Sequence, residues 1–352
     1  VRFSPRDDRC SAFDLLLRQS RSRRQKSKRR GPVEDEALEV VMSFCRGRRN
    51  RWCQDGPVEI SDSTSQVAEL IEAARETLPP AVADRWIALL RPAIRFRRAG
   101  PSEQPVGQLG GLPALPRDSA WPLSDAGHPL SFVAGLDLGR LPVSRLDIAL
   151  PDSGTLLLFR SEPEYDFTVS ARQSMRSLLT AQAQAARVVY VTAATTTAVQ
   201  EAPQDAETYR AVPLAAELIM TGPDWDHPAL ATAVSDLSDA DQAFMADPFK
   251  SDPFRMEMST MIEHPRHRLG GYAKPVQGSV EMEAALQRQG NFEYPDPSLH
   301  EEAQKWISLV QIDSDDDARM QWGDCGCLYW LMQADDLAAG RFDQAAFTFQ
   351  SS

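Results

Sequence analysis

Lysine is scarce in this chain: five of the 38 basic residues are Lys and the rest are Arg. That bias is compositional and points to a GC-rich bacterial genome. Cysteine is scarce as well, at Cys10, Cys45, Cys53, Cys325 and Cys327. An odd, sparse set excludes a disulfide framework and fits a reducing cytoplasm. No apolar run approaches the roughly 18 residues of a membrane span. Phe13–Leu17 is too short for the apolar core of a signal peptide, and its basic cluster follows it instead of preceding it. A soluble cytoplasmic protein without a membrane partner is expected. Gly-x-Gly-x-x-Gly, Gly-x-x-x-x-Gly-Lys-Ser/Thr and Gly-x-Ser-x-Gly are all missing. Nucleotide loops of those kinds and a nucleophile elbow are thereby excluded.

Charge is plentiful but uneven. The formal net charge is -12. Residues 1–55 hold 15 Lys/Arg against 8 Asp/Glu, or +7, which leaves -19 on the remainder. The stretch from Arg18 to Arg30 is nearly all Ser, Gln, Lys and Arg. It has too little apolar surface to offset the entropy of ordering. Residues 1–60 are therefore expected to form a disordered basic arm, with a short helix near Glu34–Phe44. Phosphate contacts need clustered Lys/Arg, so the acidic body argues against nucleic acid except through the arm. A protein partner of opposite charge suits it better.

Two stretches resemble each other. The first runs Leu109-Gly-Gly-Leu-Pro113, Ser131-Phe-Val-Ala-Gly-Leu-Asp137 and Gly154-Thr-Leu-Leu-Leu-Phe159. The second runs Leu269-Gly-Gly-Tyr-Ala273, Ser308-Leu-Val-Gln-Ile-Asp313 and Gly326-Cys-Leu-Tyr-Trp-Leu331. Each has a Gly-Gly turn, an apolar strand ending in Asp, and a Gly-led apolar strand. Such self-similarity predicts duplicated supersecondary units. The expected fold is α+β: two pseudo-repeated mixed or antiparallel sheet units packed as one body, with flanking and inserted helices. The halves span about 100–200 and 264–350 within a domain at 61–352, and a helical insertion occupies about 203–263.

Helical periodicity marks Val67–Leu78, with Ser63 as N-cap, and a second helix opened by Pro79-Pro80 and closed by Pro92. Ser170–Ala185, Pro228–Leu237 and Ala240–Met245 are helix-prone, and Pro248 and Pro253 break the segment after them into pieces. Val280–Gln289 has Ser279 and Gly290 as caps, and Ser298–Glu301 is a capping box. Phe132–Leu138, Leu156–Phe159, Arg187–Thr192, Ile307–Ile312 and Leu328–Met332 read as strands, with Ala345–Phe349 as a last edge strand.

These pieces together resemble the bacterial YwqG-like family, a domain of unknown function. The resemblance rests on Leu109–Pro113, Ala120–Pro122, Pro129–Val133, His267–Tyr272, Leu309–Asp315 and Trp322–Asp324, and covers about residues 62–350. It implies an α+β fold of two related halves in the bacterial cytoplasm and no established activity, cofactor or catalytic residue. Small or polar residues are common in the family where this chain has Cys325 and Cys327.

The sharpest chemical cluster is the acidic turn. Asp313, Asp315 and Asp317 stand at i, i+2, i+4 and Asp324 at the twelfth place, the spacing that begins and ends a calcium loop. Ala318 stands where such a loop needs Gly, so the pattern also reads as a solvated turn after a strand. Ca²⁺ or Mg²⁺ is the cation it would take; no other cofactor is expected. His264 and His267 flank Pro265, which disfavours a shared metal, and His267 is expected to cap backbone carbonyls. Gly110, Gly111, Gly270 and Gly271 supply turns with positive φ, and Trp121 and Trp322 read as core and turn packing or as a ligand platform. These six residues and His267 are the candidate lining of a cleft. Alternation puts Cys325 and Cys327 on one strand face. Two functions are compatible with this chemistry: a non-enzymatic binding module, immunity-like in one form, or a divalent-cation-binding protein or metal-dependent hydrolase built on residues 313–324.

Overall fold

A computed structural model describes residues 60–161, 171–261, 264–290 and 297–351. The basic arm, Cys10, Cys45, Cys53 and the helix expected at Glu34–Phe44 lie outside these residues. The described residues fall into two compact units, one of 60–80 with 243–261 and one of 81–242 with 264–351. In the smaller unit α1 (Ile60–Thr77) packs on a later helix, Pro248–Thr260. Its stripe Val67, Leu70, Ile71 and Ala74 is buried, as the periodicity predicts. Ser63 lies inside α1 and does not cap it.

The larger unit is built on one sheet. Its strands are β1 (Arg91–Arg98), β2 (Gly107–Leu109), β4 (Ser131–Asp137), β5 (Thr155–Arg160), β6 (Ala186–Val191), β8 (Val212–Thr221), β9 (Arg268–Gly270), β10 (Trp306–Asp313), β11 (Cys327–Gln333) and β12 (Ala346–Gln350). All ten belong to a single sheet in the order β12-β11-β10-β9-β1-β8-β2-β4-β5-β6, and every pairing is antiparallel. β3 (Ala114–Pro116) and β7 (Thr197–Val199) form a separate ribbon. The expectation of two sheet units packed together is therefore wrong. A continuous sheet, curled toward a barrel, takes their place.

Sequence periodicity misses β1, β2, β8 and β9, and of these β1 and β8 make the sheet continuous. Arg91–Arg98 forms β1, although its Pro92 reads as a helix end. The segment 212–221, placed inside a helical insertion and holding the helix-favouring run Leu214-Ala-Ala-Glu217, forms β8. β1 precedes β2 in the chain but pairs with β9, while β8 precedes β9 but pairs with β2, and β1 and β8 pair with each other. The first strand of each half is thus hydrogen-bonded to the second strand of the other, and the halves cannot separate into two sheets.

The resembling stretches occupy matching registers in this sheet. Leu109 opposes Ala134 and Leu269 opposes Val310. Register shifts between Phe132 and Ala134 in β4, and between Ser308 and Val310 in β10. Asp137 opposes Thr155 and Asp313 opposes Cys327. One face of the sheet carries Ile94, Phe96, Leu109, Leu136, Leu158, Leu269, Ile312, Leu328 and Trp330 into a common interior. Full burial of such a side chain contributes about 1.5–3 kcal/mol.

The outer face is covered in patches. Leu115 of the β3–β7 ribbon joins Phe132, Leu157 and Phe159. α7 (Val280–Gln289) and α8 (Pro297–Ala303) cover Trp306, Cys327, Tyr329 and Leu331. Between α1 and these two the chain forms α2 (Pro80–Ala88), α3 (Ala171–Gln184), α4 (Pro228–Ala233), α5 (Asp239–Met245) and α6 (Pro248–Thr260), and α9 (Ala334–Ala338) follows α8. Ser279 and Gly290 cap α7 as expected, the latter at φ +63°. Ser298 lies within α8, and α6 runs through Pro253.

The curl shows where the two sheet edges approach one another. α3, which leads into edge strand β6, reaches the opposite edge: Gln182 Nε2 donates to Phe349 O at 3.0 Å. Tyr190 of β6 stacks on Phe342, just before β12, with centroids 5.1 Å apart. No helix among the described residues is long and apolar enough to cross a membrane.

Candidate functional site

The end of β1, the start of β8 and the end of β10 meet at one rim of the sheet, where Arg98 opposes Leu214. Gly110 and Gly111 turn there with φ of +55° and +72°. The Gly111 N–H donates to Tyr209 O at 2.9 Å. The Tyr209 ring meets Trp322 edge-on at 5.3 Å, and the Trp322 indole N–H donates to Asp313 O at 3.0 Å. Gly110, Gly111, Trp322, Asp313, Asp315 and His267 are thereby brought together. Gly270 and Gly271 are not: Gly270 opposes Ala93 at the start of β1, at the far end of the same strand pair. Trp121 lies on the outer face, edge-on to Phe159 at 5.8 Å, with its indole N–H on Leu130 O. The seven cleft candidates therefore do not line one cleft.

Asp313 ends β10 and is almost wholly buried. Its Oδ2 accepts from the Arg266 backbone N–H at 2.9 Å and Arg266 Nε at 3.0 Å, and lies 3.2 Å from His264 Nδ1. Its Oδ1 accepts from Arg266 Nη2 and the Ser314 N–H, both at 3.1 Å. Burial alone would raise this carboxyl. The hydrogen bonds of His264 and Arg266, with the Arg266 charge, outweigh it and hold the group well below the usual carboxylate range. His264 stays half-exposed at the mouth of this arrangement.

His267 is 1% exposed. Its Nδ1 accepts the Asp313 N–H at 3.0 Å, so the ring proton sits on Nε2, 3.1 Å from Asp315 Oδ2. The ring binds a backbone donor and a carboxylate, not the carbonyls expected for it. Asp315 Oδ1 accepts the Ala318 N–H at 2.7 Å, and the Asp315 backbone exchanges both hydrogen bonds with Met320. Despite burial, the hydrogen bond from His267 keeps this carboxyl below its ordinary value. Asp317 is exposed and pairs with Arg98 at 3.1 Å, while Asp324 is exposed on the next turn. Asp313, Asp315 and Asp317 thus point to separate partners, and Asp324 lies apart from them on its own exposed turn. Among the described residues no three His, Cys, Asp or Glu side chains are grouped as metal ligands.

Cys325 is exposed at φ +52°, and Cys327 is buried at the head of β11. Burial first, then the Asp313 charge, push the Cys327 thiol up to about 12, which removes it as a nucleophile at neutral pH.

The apolar strands, the glycine turns and the acidic turn all fall inside residues 107–351, the span matched by the family model "Domain of unknown function (DUF1963)". The chain belongs to the DUF1963 family. No curated protein matches it. The matched span begins at β2, so β1, the strand that bridges β8 and β9, precedes it.

That bridging strand brings to the DUF1963 sheet a set of polar residues that motif reading missed. Arg95 and Arg97 of β1 share the carboxylate of Glu217 on β8: Arg95 Nε lies 3.1 Å from Oε2 and Arg97 Nε 2.5 Å from Oε1. Arg97 also holds Glu103. Arg268 of β9 stands opposite Arg95. The signal was present as the alternation Ile94, Phe96 inward and Arg95, Arg97 outward, a strand pattern hidden by Pro92 and by four arginines in eight residues.

Proposed function

We propose that this protein is a non-enzymatic binding module of the bacterial cytoplasm, of the YwqG-like kind, whose acidic body meets a basic protein partner. An immunity-like role, neutralising a basic toxin, is the narrower form of this reading. The observation that supports it is the commitment of the rim chemistry. Both oxygens of Asp313 are taken by Arg266, His264 and Ser314, and both oxygens of Asp315 by His267 and Ala318. These groups act as fasteners between β9, β10 and the turn, and proton transfer would require undoing them. The -19 carried beyond residue 55 supplies long-range attraction for a basic surface.

The alternative, a divalent-cation site or metal-dependent hydrolase on Asp313, Asp315, Asp317 and Asp324, requires Asp313 to release Arg266. Calorimetric titration with Ca²⁺, Mg²⁺ and Zn²⁺ separates the two. The binding-module reading expects no saturable heat at millimolar metal. Saturable heat that disappears in Asp315→Asn would replace it with the cation reading. Recovery of a stoichiometric basic partner, released by salt, is the positive test.

A further inference from the structure

The outer face of β1 and β9 holds a positive charge that the protein does not balance. Arg95 and Arg268 face each other directly across the two strands, an arrangement of like charges that destabilises a sheet. Arg95 and Arg97 are paired with Glu217, and Arg266 with Asp313. Arg268 has no such partner. It is only 8% exposed, its Nη1 donates to Tyr272 O at 3.1 Å, and no described carboxylate lies within ion-pair distance. Its Nε and Nη2 have no acceptor among the described residues. Gln311, opposite it on β10, is already engaged: Nε2 donates to Arg266 O and Oε1 accepts the Lys274 N–H. Burial of the Arg268 guanidinium, with the like charge of Arg266, lowers its pKa to about 10 despite the nearby Asp313 charge.

The repeat supplies the control. At the matching place in the other half, Gln108 opposes Pro213, so the sheet holds its register there with two neutral residues. The pair of arginines is an addition to the fold and is not required by it. An uncompensated buried cation destabilises the fold, and an anion placed on its free edge removes that cost. Nε and Nη2 form the side of the guanidinium that matches two oxygens of a carboxylate or phosphate.

We propose that Arg268, with Arg95 beside it, is an anion-binding site that takes the carboxylate or phosphate group of a small molecule on its Nε–Nη2 edge. The site adjoins the rim groups Arg266 and Asp313, whose charges act on Arg268, but oxyanion binding is read without any protein partner, so either proposal can fail alone.

The test is thermal unfolding and calorimetric titration of the full chain with inorganic phosphate and with acetate, each against chloride at equal ionic strength. At least one oxyanion is expected to raise Tm saturably, with affinity at least about tenfold weaker in Arg268→Met, the loss of one charge-assisted pair. A response to phosphate alone assigns a phosphoryl ligand, a response to acetate alone a carboxylate ligand, and a response to both the shared chemistry. If neither oxyanion differs from chloride, or if Arg268→Met keeps the full response, the proposal is overturned. Should Arg268→Met not fold, Arg95→Gln replaces it. That side chain is 22% exposed, and the same weakening is expected, while an undiminished response overturns the proposal.

Discussion

The two halves of the sheet share a backbone plan and differ in chemistry, most clearly at Asp137 and Asp313. Both residues end the second strand of their half, and both come after a register shift at the same place. Asp137 is 43% exposed, accepts the Gly139 N–H and pairs with Arg140 at 3.1 Å. Asp313 is 5% exposed and accepts from Arg266, His264 and Ser314. The difference comes from the connections. The link from β1 to β2 is short, whereas the corresponding link from β8 to β9 carries α4, α5 and α6 and delivers His264, Pro265 and Arg266 beside Asp313. Strand register follows from apolar alternation and glycine turns; the polarity of a strand end follows from whatever loop is laid over it.

The largest test of this comparison removes each partner arginine. Arg266→Met leaves a buried carboxylate uncompensated and is expected to cost about 3–5 kcal/mol. Arg140→Met, at the exposed pair, should cost no more than about 1 kcal/mol. Equal losses in urea denaturation would mean that the two ends are energetically alike and that the contrast is only geometric.

A second contrast lies in α7, which has no counterpart between β2 and β4 among the described residues of the first half. Glu283 of α7 is buried against Thr348 and Gln350 of β12, accepting from the Thr348 hydroxyl and, at 3.0 Å, from Gln350 Nε2. Burial, aided by the charges of Glu281 and Asp226 and opposed by those two hydrogen bonds, raises its pKa from 4.5 to about 7. Between these values the folded chain keeps a proton that the unfolded chain has lost, so stability falls as pH rises through that window. The loss amounts to about 3 kcal/mol. Glu283→Gln should flatten that part of the stability-against-pH curve. An unchanged slope would assign the dependence to other groups.

The glycine pairs give a smaller, matched test. A Cβ on Gly110 would lie 2.5 Å from Arg210 O and 2.9 Å from Tyr209 C, both backbone atoms. On Gly270 it would meet the Leu146 and Ile148 methyl ends at 3.2 and 3.3 Å, which can move. Both residues have positive φ. Gly110→Ala is expected to cost about 2–3 kcal/mol and Gly270→Ala about 1 kcal/mol. The reverse order in melting experiments would show that the second half is the more rigid. Smallest of all is the edge at β12, where Gln182 and Gln287 donate to Phe349 O and Phe347 O. Gln287→Leu should cost about 1 kcal/mol and, by freeing the Phe347 carbonyl, raise the tendency of this edge to self-associate, read by light scattering.

Much of this was legible in the chain. The strands β4, β5, β6, β10, β11 and β12, the α7 caps at Ser279 and Gly290, and the correspondence of the two glycine turns follow from periodicity and turn chemistry. The middle strands were not legible: Pro92 and the run Leu214–Glu217 carry local propensities that cross-strand pairing overrides, and β2 and β9, three residues each, read only as the lead into glycine turns. Of the candidate site, spacing put Asp313, Asp315, Asp317 and Asp324 on one turn. It could not say that Arg266, His267 and Arg98 would each claim a carboxylate, since those partners lie some 47 to 219 residues away in sequence.

The sequence by itself determined which segments alternate, where glycine permits a sharp turn, and that one plan occurs twice. Only the tertiary structure decided that the two copies exchange strands within one sheet, that Asp313 is buried while Asp137 is wet, and that Arg268 faces Arg95 without a counter-charge. The reason is one of range. Backbone preferences act over a few residues, whereas burial and charge pairing depend on which distant segments the pairing of β1 with β8 and β9 brings side by side.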